Sequence, residues 1–262
     1  MLYPHSLLWH YLWVGPHVIQ LCLAVIIWKR GLYRRSPVFL LYIVYEGLES
    51  LTLYGMDISP ALVSDLTWWR ADYVGWAVEG LLKIGVIWEV FRHLVRHRSS
   101  SGRYSSMFFI VAFLLGCTAL WVARRAPEPY PQFPIVARVH VLIEGIFIVT
   151  CGLWVLTFLS TAYFHLGWDR WDFGIALGAG ISASVELGTY SVMANYRWFP
   201  KAYLLDFLGM AAYHACVVIW CYYLLRNPGE HAPATGAELA SRTGSNPQAR
   251  QPLQRQFYRH FA

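Results

Sequence analysis

The chain reads as an all-α polytopic membrane protein, a bundle of seven transmembrane helices with its N-terminus outside and its C-terminus in the cytoplasm. Three observations predict that class. Of 262 residues, 57% are hydrophobic and only 14% are charged, far from the soluble average. The mean hydropathy is positive, at +0.39. The charged residues gather at the ends of apolar stretches of about twenty residues, the length a helix needs to cross about 30 Å of hydrocarbon.

The spans follow in order. Span one, about 6–28, has no Lys or Arg before it and no small-residue cleavage site, so it reads as a retained helix and not as a signal peptide. Its "WVGPHV" sets Pro16 beside His17, a structural histidine near mid-span. The connector "KRGLYRRSP" leads to span two, about 37–57, which carries Glu46 and Glu49. After "DISPALVSD" comes span three, about 71–92, with Glu79 and Lys83 inside it and Glu89 at its cytoplasmic end, close to Arg92 and His93, where an interfacial pairing suffices. "RHRSSSGR" precedes span four, about 104–123, and "RRAPEPYPQFP" precedes span five, about 138–160, with Glu144. Span six, about 172–194, holds Glu186; "NYRWFPK" then leads to span seven, about 202–224, with Asp206 and His214. Pro, Gly, Ser and Arg break the apolar pattern in each connector. Residues 1–226 thus form the transmembrane domain. Residues 227–262 are rich in Pro, Gly, Ala, Ser, Thr and Gln, and read as a disordered cytoplasmic tail.

Orientation comes from the basic residues. Twenty of the 21 Lys and Arg lie in the connectors, the tail or at span edges, fourteen on the side of "KRGLYRRSP" and "RHRSSSGR" and six on the other. The positive-inside rule places the first side in the cytoplasm. Trp68, Trp69, Trp168, Trp171 and Trp198 lie near span ends, where an amphipathic ring suits the headgroup zone. The net charge of +6 is accounted for by these loops, so nucleic-acid binding is not expected. Cys22, Cys117, Cys151, Cys216 and Cys221 show no CxxC spacing and read as buried free thiols. No i, i+4 histidine pair or ExxH spacing appears among His17, His140 and His214, so neither a metal site nor a cofactor is expected.

The remaining basic residue, Lys83, lies inside a span, and so do most of the carboxyls. An ionisable group in hydrocarbon costs at least about 2.5 kcal/mol on insertion scales, so such groups face the bundle interior and have partners. Counted from the predicted outer ends, Glu49, Glu79, Glu144, Glu186 and Asp206 lie about four to eight residues deep, about 6–12 Å along a helix. Glu46 and Lys83 sit about one turn deeper. Glu79 and Lys83, four residues apart, share a helix face, as do Glu46 and Glu49, three apart. One lysine cannot neutralise six carboxylates.

The functional expectation is a carboxylate-lined pocket in the outer half of the bundle, formed by Glu46, Glu49, Glu79, Lys83, Glu144, Glu186, Asp206 and His214. It would take a proton, a cation or a small polar solute, in a transporter-like or sensory protein with a cytoplasmic protein partner. Two other readings stand beside it. One is a membrane-embedded enzyme with Glu46, Glu49 or Asp206 as acid or base. The other is a structural subunit whose carboxyls only hold helices together.

Span six, "FGIALGAGISASVELG", is lined with small residues. Gly174, Gly178 and Ser182 lead at four-residue steps to Glu186, while Gly180, Ser184 and Gly188 form a second row. Both rows read as helix-packing surfaces. No strand and no P-loop lysine accompany these glycines, so they do not form a phosphate loop.

"LWVGPHV", "VIWEVFRHL" and "FGIALGAGISASVEL" together resemble a set of uncharacterised bacterial seven-helix integral membrane proteins. The resemblance covers the seven spans and not the tail. It implies a multi-pass protein of the bacterial inner membrane, and it supplies no activity and no site residues. The layout is also similar to the seven-helix sensor regions of some histidine kinases, but no kinase follows here. Span seven has no lysine for a retinal Schiff base, as a microbial rhodopsin requires, and the histidine pattern of seven-helix zinc hydrolases is not matched.

Overall fold

The computed structural model describes residues 5–59, 61–96, 101–125, 134–195 and 203–226. Among them are seven α-helices and no strand: α1 (Leu7–Lys29), α2 (Pro37–Asp57), α3 (Asp65–Val95), α4 (Ser101–Arg125), α5 (Pro134–Tyr163), α6 (Arg170–Asn195) and α7 (Tyr203–Leu225). The helices fall in the unit Met1–Leu224; of the second unit, Leu225–Ala262, only Leu225 and Arg226 are described. The predicted tail at 227–262, the side chains of Arg138 and His140, and Trp198 all lie outside the described residues.

Local chemistry sets the helix ends. Ser6 starts α1, its Oγ accepting from the Trp9 N–H at 3.3 Å. Past Lys29, Gly31 turns the chain with φ +69°, a left-handed conformation natural to glycine, and a short 3-10 turn at Leu32–Arg34 follows. Pro37 opens α2, where a missing N–H loses nothing. Ser64 caps α3 by accepting from the Thr67 N–H at 3.3 Å, so this helix begins about six residues before the predicted span and takes in Trp68 and Trp69.

Three helical segments are long and apolar enough to cross a membrane, Leu7–Lys29, Leu142–Tyr163 and Tyr203–Leu225, and Ser106–Val122 is a shorter apolar one. Helices α2, α3 and α6 carry most of the internal carboxyls, which lowers their hydropathy. The core is apolar, with Phe39, Ile43, Ile87, Phe147 and Trp220 buried, but large apolar side chains also lie on the outside and several polar ones are buried. Val25, Leu48, Leu81, Phe113, Leu159, Ile181 and Val218, one on each helix in order, face outward, whereas Gln20, Glu46, Glu89, Thr157, Asp172 and Ser182 are buried. Buried Glu and Asp side chains are the unusual part of this pattern, because such residues are almost never fully buried unless paired.

Helix α3 occupies the middle of the packing, touching α2, α4, α5 and α6, while α1 packs on α2, α4 on α5 and α5 on α6. Helix α7 closes onto α1 through Trp9 and Phe207, whose rings lie edge to face at 5.3 Å, and onto α2 through Phe39 and Trp220 at 5.2 Å. It meets α6 along the first small-residue row. A Cβ at Gly174 would collide with Tyr223, and one at Gly178 would lie 2.6 Å from Trp220 Nε1. The Trp220 indole N–H then reaches the Ile175 carbonyl at 3.3 Å. The second row behaves differently. Gly180 leaves 3.4 Å to Phe158, Ser184 is exposed and donates to the Gly180 carbonyl at 2.8 Å, and Gly188 is exposed with nothing within 4 Å. Gly188 therefore takes no part in packing among the described residues.

Three further expectations need correction. Only Cys216 is fully buried; Cys22 and Cys117 lie on outward helix faces. Trp171 is buried, its indole N–H donating to Ser36 Oγ at 3.2 Å, and so it ties α6 to the start of α2 instead of facing a headgroup zone. Glu89 is also buried, at 4% exposure, and its carboxylate accepts from the backbone N–H groups of Val38 (3.2 Å) and Phe39 (3.0 Å). It satisfies otherwise unpaired donors at the positive end of α2 from a neighbouring helix, so its role is structural.

Candidate functional site

Five helices supply the polar and aromatic walls of one cavity, and a sixth supplies Phe147. The space is about 570 Å³ and is bounded by Trp9, Trp13 and His17 of α1, Glu46, Glu49 and Ser50 of α2, Trp68, Trp69, Asp72, Trp76 and Glu79 of α3, Glu186 and Tyr190 of α6, and Asp206 and Tyr213 of α7. All six carboxyls come from four helices, α2, α3, α6 and α7. No lysine or arginine is among the described lining residues.

The floor is an ion triad. Lys83 Nζ lies 2.8 Å from Glu79 Oε1, one turn back on the same helix, and 2.8 Å from Glu186 Oε2 on α6. Ser182, one turn before Glu186, donates to its other oxygen at 2.9 Å. The four-residue steps seen in the sequence produce both contacts, because residues i and i+4 stack on one face. The Nζ also lies 5.8 Å from the centroid of the Phe147 ring. Below this floor is a void of only about 10 Å³, among Lys83, Thr150, Trp154, Ser182 and Cys216, with room for about one water. The cavity therefore ends at Lys83.

A second polar chain runs beside it. The Tyr213 hydroxyl donates to Gln20 Oε1, and Gln20 Nε2 donates to the Ile43 carbonyl at 2.8 Å and to Glu46 Oε2 at 3.4 Å. The Tyr213 ring stacks on His17 with centroids 4.9 Å apart. Asp72 accepts from the Trp76 indole N–H at 3.1 Å, and the Trp13 indole N–H donates to Ser50 Oγ at 3.2 Å. Glu49 lies flat against the backbone of Gly75, where a Cβ would strike its carboxylate. Glu49 and Asp206 have no hydrogen-bond or ion-pair partner among the described residues.

The structure thus gathers Glu46, Glu49, Glu79, Glu186 and Asp206 around one space, with Lys83 under it. Glu144 is not part of it. Ile143 and Phe147 occupy the inner face of α5, and Glu144, about 100° round the helix from Ile143, is left half-buried outside the lining. His214 is turned away for the same reason, since its neighbour Tyr213 faces the cavity; its ring lies 5.7 Å from Tyr11. The similar depths counted from predicted ends also loosen, because Asp206 is three residues inside α7 and Glu79 fourteen inside α3.

Gln20, Asp72, Gly75, Tyr190 and Tyr213 are the lining or supporting residues that sequence reasoning passed over. Gln20 had a signal, being the lone amide in an apolar span. Asp72 had one too, in its four-residue spacing to Trp76.

At the opposite helix ends lies a second ionic cluster. Arg35 contacts Asp169 at 3.0 Å and Asp172 at 3.1 Å, and His93 Nδ1 lies 3.0 Å from the other Asp172 oxygen. Burial works against the Arg35 charge, but the hydrogen bond it donates to Asp169 and the charges of Asp172 and Asp169 prevail and raise its pKa. For Asp169, burial favours the neutral form, and the Trp171 N–H and Arg35 outweigh it and hold the carboxyl below the ordinary value of 3.8.

Comparison with protein-family models, curated proteins and solved structures finds no match to this chain. Among the described residues, no three His, Cys, Asp or Glu side chains are grouped to hold a metal ion.

Proposed function

We propose that the protein is a seven-span protein of the bacterial inner membrane, N-terminus outside and C-terminus in the cytoplasm, that binds a cation in its carboxylate-lined cavity as a transporter-like or sensory module. A proton or a small polar solute bearing positive charge falls within the same chemistry. The observation that carries this reading is the imbalance at the cavity: carboxyls from four helices converge on one space, and one lysine at its floor faces two of them.

Two features support the membrane placement. Outward apolar side chains occur on all seven helices, as a lipid-facing surface requires. The cavity is also built from the first turns of α1, α3 and α7 and the last turns of α2 and α6, opposite the ends that carry Lys29, Arg34, Arg35, Arg92, Arg96 and Arg170. If the arginine end is cytoplasmic, the cavity faces outside. Its tryptophan and tyrosine walls suit a cation, which is attracted to the face of an aromatic ring within about 6 Å of its centroid.

The test uses the full chain in detergent and in liposomes, with Glu49→Gln and Asp206→Asn, two groups that hold no structural bond. Sodium, potassium and methylammonium are the cations offered, and thermal stabilisation and uptake are the readouts. Binding predicts stabilisation of the native chain by at least one cation and its loss in Glu49→Gln. Uptake that follows stabilisation supports transport. Stabilisation without uptake supports sensing, a result consistent with the closed floor at Lys83. Equal behaviour of the native chain and both variants in both assays would overturn the reading.

A further inference from the structure

The arginine end of the helices holds a second, larger opening that the cation reading does not use. It is about 1110 Å³ and is bounded by Arg34 and Arg35 after α1, by Arg92, His93 and Arg96 at the end of α3, and by Asp169 and Asp172 at the start of α6. Positive-inside topology accounts for arginines on this side of a membrane. It does not account for how these are held.

The three carboxylates at this end are all engaged. Asp172, 2% exposed, gives one oxygen to Arg35 and the other to His93. Asp169 gives an oxygen to Arg35 and accepts from the Trp171 N–H at 2.9 Å. Glu89 is taken by the backbone N–H groups of Val38 and Phe39. Arg34, Arg92 and Arg96 are exposed and none forms an ion pair with a carboxylate among the described residues, although the Arg92 charge acts on Glu89 one turn back. Four arginines against two aspartates leave a formal charge of +2 on the lining with His93 neutral.

The walls are fixed as well as charged. The Trp171 to Ser36 bond and the Glu89 cap tie α6 and α3 to the start of α2. Arg35 is held from behind by a buried carboxylate, and a guanidinium so held keeps further N–H donors in a planar fork for a ligand. Such forks match the paired oxygens of a phosphate.

We propose that this cleft binds a phosphate-bearing anion, with Arg92 and Arg96 as direct contacts and Asp172 as the residue that positions Arg35 and His93. A phospholipid headgroup at the bilayer surface and a free phosphate present the same chemistry, and the experiment separates them. It does not depend on what the carboxylate cavity binds.

Delipidated full-length protein in neutral detergent is titrated separately with inorganic phosphate, with pyrophosphate, with phosphatidylglycerol and with phosphatidylcholine, and Kd is measured by native mass spectrometry and thermal shift. The cleft variant is Arg92→Gln with Arg96→Gln. The control, Arg30→Gln with Arg170→Gln, removes the same charge from the same end outside the cleft. The native chain is expected to bind phosphatidylglycerol or a phosphate salt in preference to phosphatidylcholine. Losing two arginine contacts weakens that binding by more than about tenfold, since each tenfold step is only about 1.4 kcal/mol, while the control changes it less than about threefold.

Saturable binding of phosphatidylglycerol alone assigns the cleft to a headgroup; binding of phosphate or pyrophosphate assigns it to a soluble anion. Arg92→Lys with Arg96→Lys keeps the charge and loses the fork, and it is expected to fall between the native chain and the glutamine variant. Equal weakening by cleft and control variants, or no preference for any anionic ligand in the native chain, would overturn the proposal.

Discussion

Replacing Lys83 by methionine removes the single cation from the cavity floor and leaves Glu79 and Glu186 facing each other. Each Nζ to oxygen contact is 2.8 Å, which at an effective dielectric near 20 corresponds to about 6 kcal/mol of Coulomb attraction. Desolvation of three groups offsets much of that, as does repulsion between the two glutamates, so the intact triad adds little net stability. Removing one member is a different perturbation, because the partners remain buried without their counter-charge, and such losses run to about 3–5 kcal/mol. Lys83→Met is therefore expected to lower thermal stability by that amount in detergent or nanodiscs. Adding Glu79→Gln and Glu186→Gln to the same chain removes the stranded charges, and the triple variant should recover most of the loss. The assay is thermal unfolding of the single, double and triple variants as a mutant cycle. A triple variant less stable than Lys83→Met, with the three effects simply adding, would refute the reasoning. So would a Lys83→Met protein as stable as the native one.

Other consequences follow from the packing and the caps. Gly178→Val inserts carbon atoms against Trp220 and Cys216 and should destabilise by about 1–3 kcal/mol in thermal unfolding, whereas Gly188→Ala meets open space and should be neutral or stabilising by up to about 1 kcal/mol. Glu89→Gln weakens two charge-assisted bonds at the start of α2; a loss of about 1–3 kcal/mol is expected, with faster hydrogen exchange at Val38 and Phe39. The Asp169 carboxyl is held below its ordinary value, so its contribution is present above that value and disappears as pH falls through the lowered one. Thermal stability should accordingly begin to fall as pH approaches 3.8 and go on falling below it, and Asp169→Asn should flatten that decline.

How far the sequence carried depended on the kind of signal. Helix number and order were legible because each apolar run is bounded by Pro, Gly or charge, and α1, α2 and α7 match their predicted limits to within a residue or two. The Glu79 to Lys83 contact was legible too, since a four-residue step fixes which side chains meet on a helix. Partners across helices were not. Nothing local to Glu186 says that Lys83 lies 2.8 Å away, and Glu89 looked interfacial beside Arg92 until the start of α2 was placed against it. Glu144 and His214 show the complementary limit. Both are polar residues in apolar spans, but a rotation of one residue decides whether such a group enters a cavity, and neighbours such as Ile143 and Tyr213 had the stronger claim to the inner face. A Cβ-free position such as Gly75, against which Glu49 rests, is invisible until both helices are in place.

The charge balance at the two ends of the helices connects these observations. At the arginine end the carboxylates are consumed, by Arg35, by His93 and by the first N–H groups of α2, and cationic side chains are left over. At the cavity end the lysine is consumed, by Glu79 and Glu186, and carboxyls are left over, with Glu49 and Asp206 holding no partner among the described residues. The leftover arginines are exposed at the helix ends, where charge costs little, whereas Glu49 is part-buried between helices, where an unpaired ionisable group is destabilising. Lys83 touches two glutamates and cannot balance the cavity, and under the proposed function a cation from outside the chain would complete the balance at the unmatched carboxyls.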